Sequence, residues 1–135
     1  KTGQRRDLNR EKFEANKLLE VLKNFDSPAS KNISYLTHIV KVRSRLKAFH
    51  PEASMKCIST NIANCVILQR GLAEESVYVI CNMSHKFLSI SPLNELNSLD
   101  LSSDKRLLDN ITGSYLNTDT FKLNPYQVVW LTLAD

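Results

Sequence analysis

The hydrophobic positions follow two different periods along the chain. Up to about residue 50 they recur at helical spacing. Phe13, Leu18, Leu19, Val21, Leu22 and Phe25 form one stripe, which predicts a first helix over 11–25. The segment DSPASKN (26–32) interrupts it, with Pro28 among small polar residues. Tyr35, Leu36, Ile39, Val42, Leu46 and Phe49 then recur three and four apart. They predict a second helix over 34–48, with Ser34 as N-cap behind Ile33 and Pro51 as its stop. Lys41, Arg45 and Lys47 mark its solvated side.

Beyond His50 the period changes to two. The runs MKCI (55–58), NCVILQR (64–70), SVYVICNM (76–83), KFLSI (86–90) and YQVVWLTL (126–133) read as strands. In 76–83, Val77, Val79 and Cys81 face one way, and Tyr78, Ile80 and Asn82 the other. The stretch RLLDNITGSYLNTDTFKL (106–123) reads as a short strand, a turn at Gly113 and another strand. Short strands joined by turn-like segments, with no helix between them, predict an antiparallel sheet closed into a sandwich. The fold class is therefore α+β, with two N-terminal helices packed against a C-terminal antiparallel β-sandwich-like domain. The organisation expected is 1–50 followed by an all-β domain over 51–135. The two helices cannot bury their stripes alone, so they must pack on the β domain, on each other or on something absent.

Composition narrows the function classes. With 135 residues and 42% hydrophobic content, the chain supports one modest domain with a true core. Of its positive charges, Lys1, Arg5, Arg6, Arg10 and Lys12 crowd the start, and the rest are scattered among acids. The net charge of +4 therefore builds no broad basic face for nucleic acid. No apolar run approaches the ~20 residues of a membrane span, so no membrane partner is expected. There is no signal-peptide pattern, and the start at Lys1 rather than Met points to a fragment or processed product. The three cysteines, Cys57, Cys65 and Cys81, fit no metal signature at spacings of eight and sixteen. Lying in apolar runs, they read as free buried thiols of a reducing compartment, which implies a cytoplasmic location. Triplets of the N-x-S/T type at Asn32, Asn82 and Asn110 are near chance for a chain so rich in Asn, Ser and Thr.

Candidate chemistry is sparse. His38, His50 and His85 lie far apart in sequence without metal-ligand spacing, so no metal site is expected. His38 reads as a helix-face residue and His50, in FHP, as a turn residue. No GxSxG, no Cys/His signature and no Gly-rich phosphate loop occurs, and no cofactor is expected. The acids of the β region, Glu74, Glu75, Glu95, Asp100, Asp104, Asp109 and Asp119, sit in turns, where carboxylates are usually solvated. Trp130, inside VVWLTL, reads as core rather than as a sugar platform. The remaining stretch is QRRDLNR (4–10). There an Arg beside a carboxylate becomes an oriented donor for a hydroxyl-rich or anionic substrate; equally, the stretch is a solvated arm before a helix.

Several strings together resemble one enzyme family. TGQRRDLNR (2–10) is similar to the TG-x-x-RDxNR segment of sucrose-phosphorylase-like enzymes of the α-amylase superfamily. RSRLKAFHPEA (43–53) resembles the segment that ends their last barrel helix. CVILQRG (65–71), VYVICNMSH (77–85), LLDNITG (107–113) and LNPYQVVWL (123–131) resemble successive pieces of their C-terminal β domain. The resemblance implies a parent with a (β/α)8 barrel before this β domain, which makes 1–50 the remnant of the barrel's end and leaves an apolar surface over 11–49 open to dimerisation or aggregation. It implies retaining transfer of a glucosyl group from sucrose or a related α-glucoside to phosphate. The Asp nucleophile and Glu acid/base would lie upstream, so this chain alone would be inactive. Arg6 would line the glucosyl pocket and pair with a barrel carboxylate, while Asp7, Asn9 and Arg10 would shape its loop. The partners implied are the upstream barrel, a sugar and phosphate. The alternative readings are a stand-alone carbohydrate-binding β module and a protein-interaction module, neither with enzymatic activity.

Overall fold

The structure is a computed structural model that describes residues 14–96 and 106–134. It divides into two compact units, one reaching to Ile39 and the other starting at Val40. The arrangement is α+β: helices first, then an antiparallel sheet domain.

In the first unit, helix α1 spans Ala15–Lys23 and is followed by a tight turn. Asn24 makes that turn, its side-chain oxygen accepting the Asp26 N–H at 3.1 Å and its carbonyl the Ser27 N–H at 3.0 Å. The expected helix over 11–25 therefore stops at Lys23, because Asn24 draws the following N–H groups out of the helical pattern. Helix α2 spans Pro28–Arg45 and runs through the boundary between the units. Its start corrects the expectation of Ser34 as N-cap. Ser27 is the cap, accepting the Ser30 N–H on Oγ at 3.1 Å, and Pro28 takes the first helical position, where no N–H is needed. The proline read as a breaker opens the helix. Ser30 donates its hydroxyl to the Leu22 carbonyl at 3.2 Å, which ties α2 to the end of α1.

The apolar stripes of these helices lie open. Phe25 is 81% exposed, Leu36 61% and Val40 62%, with Leu18, Leu19, Val21 and Tyr35 also exposed. α2 ends at Arg45, short of the expected 48, and Lys47–Phe49 form a single 3-10 turn. The break is at Leu46, whose N–H reaches only three residues back, to the Arg43 carbonyl at 3.3 Å, and whose backbone is extended at φ −96° and ψ 106°.

In the second unit, β1 (Met55–Ile58), β2 (Cys65–Arg70), β3 (Val77–Asn82), β8 (Val128–Ala134), β5 (Arg106–Asp109) and β6 (Ser114–Leu116) form a six-stranded sheet in that spatial order. All its neighbours are antiparallel. β4 (Leu88–Ile90) and β7 (Phe121–Leu123) form a separate two-stranded ribbon, and helix α3 is the short segment Pro92–Glu95. The core lies between these layers. Ile67, Tyr78, Ile80, Val129 and Leu131 of the large sheet meet Ile90, Leu96, Phe121 and Leu123. Burying such side chains contributes roughly 1.5–3 kcal/mol each before chain entropy is counted.

The predicted alternation in β3 holds, yet Val77 on the other face is as buried as Tyr78 and Ile80. The central strand is covered on both faces, which explains why its sequence is almost continuously apolar. The stretch 106–123 yields three strands instead of the expected two. Asn117 is the reason. Its side-chain oxygen accepts the Asp119 N–H at 2.7 Å and turns the chain out of the large sheet to pair β7 with β4.

Candidate functional site

Arg6, Asp7, Asn9 and Arg10 lie outside the described residues. The other strings of the family resemblance fall on the second unit, where they form its polar joints.

The first joint fastens AFHP to the sheet. Arg70, at the end of β2, donates Nε to the Ala48 carbonyl at 3.2 Å and Nη2 to the His50 carbonyl at 2.9 Å. Arg43, on the last turn of α2, donates to the Phe49 carbonyl at 3.2 Å. Two guanidinium forks thus hold three successive carbonyls that an ordinary helix end would leave to water. Gly71 follows, with φ of +78°. A Cβ there would stand 3.0 Å from the Glu75 carbonyl oxygen and 3.1 Å from Ala48 Cβ, so only glycine lets the chains approach this closely. Phe49 packs on Trp130 with ring centroids 4.5 Å apart and planes tilted by 49°. Trp130 is half-buried and belongs to this packing, outside the buried core cluster in which it was expected.

A cleft of about 440 Å³ opens at this joint, lined by Arg43, Lys47 and His50 together with Leu46, Phe49 and Pro51. The charges around it are engaged. Lys47 bonds Glu75 at 2.7 Å, and that hydrogen bond, aided by the carboxylate's charge, raises the ammonium pKa. Arg43 is held by the Phe49 carbonyl. His50 accepts the Glu52 N–H on Nδ1 at 3.3 Å, which is the turn role its position suggested. The chemistry of the joint is therefore attachment of the α2 segment to the β domain.

The second joint is Asn82, in NMS, 1% exposed. Its amide nitrogen donates to the Lys86 carbonyl at 2.7 Å and the Asn124 carbonyl at 2.8 Å. Its oxygen accepts the Ser84 N–H at 2.9 Å and the Ser84 hydroxyl at 2.8 Å. One buried amide thus clamps the loop after β3 to the NPY turn before β8. Every donor and acceptor on it is used, so its burial costs little.

The third joint corrects an expectation. Asp109 was grouped with solvated turn acids, but it is 1% exposed. Oδ1 accepts the Trp130 N–H at 3.1 Å and the Ile111 N–H at 3.2 Å, and Oδ2 accepts the Thr112 hydroxyl at 2.7 Å. The carboxylate fixes the DNITG turn and couples β5 to β8.

A second correction concerns the thiols. Cys57 is exposed because β1 is an edge strand, whereas Cys65 and Cys81 are half-buried. Burial, with help from Glu95 and Cys81, pushes the Cys65 thiol up to about 11, and burial also raises Cys81. Neither has the depressed pKa of a nucleophilic cysteine. Among the described residues no group of three or more His, Cys, Asp or Glu is placed to hold a metal ion, and no helix is long and apolar enough to cross a membrane. His38 lies exposed on α2 and His85 in the loop after β3.

Sequence reasoning missed Arg70, Asn82 and Asp109 as joints. Asn82 and Asp109 carried a signal: each is a short polar residue at an inward strand position, with Ser or Thr two or three residues on, which is the pattern of a side-chain-closed turn.

Comparison with known proteins follows the same lines. No family model matches the chain. Over 131 residues, 96% of its length, it is 30% identical to glucosylglycerate phosphorylase from Allomeiothermus silvanus, and it spans 20% of that protein's length. Trehalose-6-phosphate hydrolase of Bacillus licheniformis has a similar structure, with a TM-score of 0.58 and 20% identity over 86% of this chain and 20% of that one. An Anoxybacillus α-amylase gives a TM-score of 0.59 at 14% identity over 82% of this chain and 24% of that one. The two structural likenesses show the fold. The likeness to glucosylglycerate phosphorylase runs along nearly the whole of this chain.

Proposed function

We propose that this chain, homologous to carbohydrate-active enzymes of the α-amylase superfamily, is the non-catalytic C-terminal portion of an α-glucoside phosphorylase. The observation that carries the reading is the match to glucosylglycerate phosphorylase over 96% of this chain and only 20% of that protein. The parent reaction passes a glucosyl group from an α-glucoside to phosphate with retention, giving glucose 1-phosphate. Its Asp nucleophile and Glu acid/base come from a cytoplasmic (β/α)8 barrel upstream of this chain. Glucosylglycerate and sucrose are the donors to test first.

In this reading residues 1–50 finish the barrel and 51–135 form the β domain behind it. The exposed stripe of Leu18, Phe25, Leu36 and Val40 is the surface the barrel wall covers, which supports the reading. Arg6 reaches the glucosyl pocket and pairs with a barrel carboxylate, and Asp7, Asn9 and Arg10 shape its loop. Arg70, Gly71 and Arg43 hold the barrel's last helix to the β domain.

The test is turnover. The isolated 135-residue chain is incubated with glucosylglycerate or sucrose and phosphate, and glucose 1-phosphate is followed. Release at the level of a buffer blank is expected. Turnover well above it would show that catalysis does not need an upstream barrel.

A further inference from the structure

Tyr126 stands in a backbone conformation that its side chain disfavours. It is the third residue of the turn Asn124–Gln127, which is closed by the Gln127 N–H on the Asn124 carbonyl at 3.1 Å. Its φ is +58°, in the left-handed region usually left to glycine or asparagine. The cost brings no visible gain in packing, because the residue is 69% exposed.

The turn is held firmly all the same. Asn82 takes the Asn124 carbonyl at 2.8 Å, Gln127 Oε1 accepts the Asn124 N–H at 2.8 Å, and the Tyr126 N–H donates to the Ser84 carbonyl at 3.1 Å. The same Asn82 amide also holds the Lys86 carbonyl at 2.7 Å, and the next residue, Phe87, is 67% exposed. One buried side chain therefore ties together two loops that each present an open aromatic. Exposed polar residues, His85, Lys86 and Asn124, accompany them. This cluster lies by Asn82, whereas Gly71 and the AFHP joint lie by Val77, at the other end of β3. The five steps from Val77 to Asn82, at ~3.3 Å per residue, set the cluster about 16 Å from that joint.

We propose that Tyr126 and Phe87 form a sugar-binding platform that takes the apolar face of a glucose-type pyranose, with the flanking polar groups meeting its hydroxyls. Exposed rings held by a rigid turn suit this ligand, because the C–H face of a pyranose stacks on an aromatic ring and preorganisation lowers the ordering cost of binding. The proposal goes beyond the phosphorylase reading, and its test reads sugar binding rather than turnover, so the two can fail separately.

The experiment titrates maltoheptaose into the isotope-labelled full chain and follows backbone amide shifts. Saturable shifts confined to 83–87 and 124–127 are expected at millimolar sugar. Tyr126→Ala and Phe87→Ala should each weaken binding about tenfold or more. Tyr126→Gly should weaken binding as Tyr126→Ala does while raising the urea midpoint, since glycine accepts the left-handed turn without strain. Absence of shifts, or shifts elsewhere that survive Tyr126→Ala, would overturn the proposal. A Tyr126→Gly chain less stable than the parent would assign the ring to packing and overturn it as well.

Discussion

Replacing Asp109 by alanine should be among the most damaging single changes in the β domain. The carboxylate is 1% exposed and accepts three hydrogen bonds, from the Trp130 and Ile111 N–H groups and the Thr112 hydroxyl. Truncation leaves the Trp130 N–H, inside the sheet, without this acceptor, at about 1–3 kcal/mol. The turn at Ile111 and Thr112 loses two further charge-assisted bonds, at about 1 kcal/mol each once water partly replaces them. The sum is about 3–5 kcal/mol, a large share of the ~5–15 kcal/mol that holds a domain together. Asp109→Asn keeps an oxygen for the two amides and should cost about 1–2 kcal/mol. Asp119→Ala, at an exposed loop acid, should stay within about 0.5 kcal/mol. Urea titrations followed by circular dichroism, with the three variants beside the parent chain, give these differences directly. A loss below about 1 kcal/mol for Asp109→Ala would refute the account of this carboxylate as the pin between β5 and β8.

Other consequences follow from the same joints. Gly71→Ala should cost about 2–3 kcal/mol, because it adds a close approach to a left-handed backbone, whereas Gly113→Ala, whose Cβ would meet nothing within 4 Å, should cost only about 1 kcal/mol; thermal melts separate them. Arg70→Ala should release the AFHP carbonyls, costing about 2 kcal/mol and shifting Trp130 fluorescence to the red as Phe49 leaves the ring; an unchanged emission maximum would count against the joint. The Cys65 thiol is pushed up to about 11 from 9.0, so at pH 8 iodoacetamide should label exposed Cys57 well before Cys65, as read by peptide mass mapping. The sign of that shift also means that the protonated thiol favours the folded state. Its contribution is complete below pH 9.0 and lost as the pH rises through about 11, so high-pH melts of Cys65→Ser should lack that decline.

The period-two pattern was enough to place the strands of the large sheet within a residue or two, because alternation and turn residues are local signals. Helix boundaries were less legible. Pro28 looks like a breaker in isolation, and only the Ser27 hydroxyl on the Ser30 N–H reveals it as a first-turn proline. The early end of α2 was hidden for another reason: the helical spacing of Leu46 and Phe49 continues through extended Leu46 into a 3-10 turn, whose carbonyls are held by Arg70, far away in sequence. The same distance hid the role of Asp109, whose partner Trp130 lies on another strand. Cys57 was misread as buried because an apolar run does not say which strand becomes the edge. The family-like strings were legible as strings. Their physical meaning was not, since AFHP, NMS, DNITG and NPY make sense only as polar joints between segments that the fold brings together.

The central claim is that this chain completes an enzyme whose catalytic carboxylates lie before it. Sequencing the coding region immediately upstream of the Lys1 codon tests that claim most directly. The account predicts an in-frame barrel with an Asp at one strand end and a Glu at the next. An in-frame stop codon, or an upstream sequence with no such barrel, would contradict it.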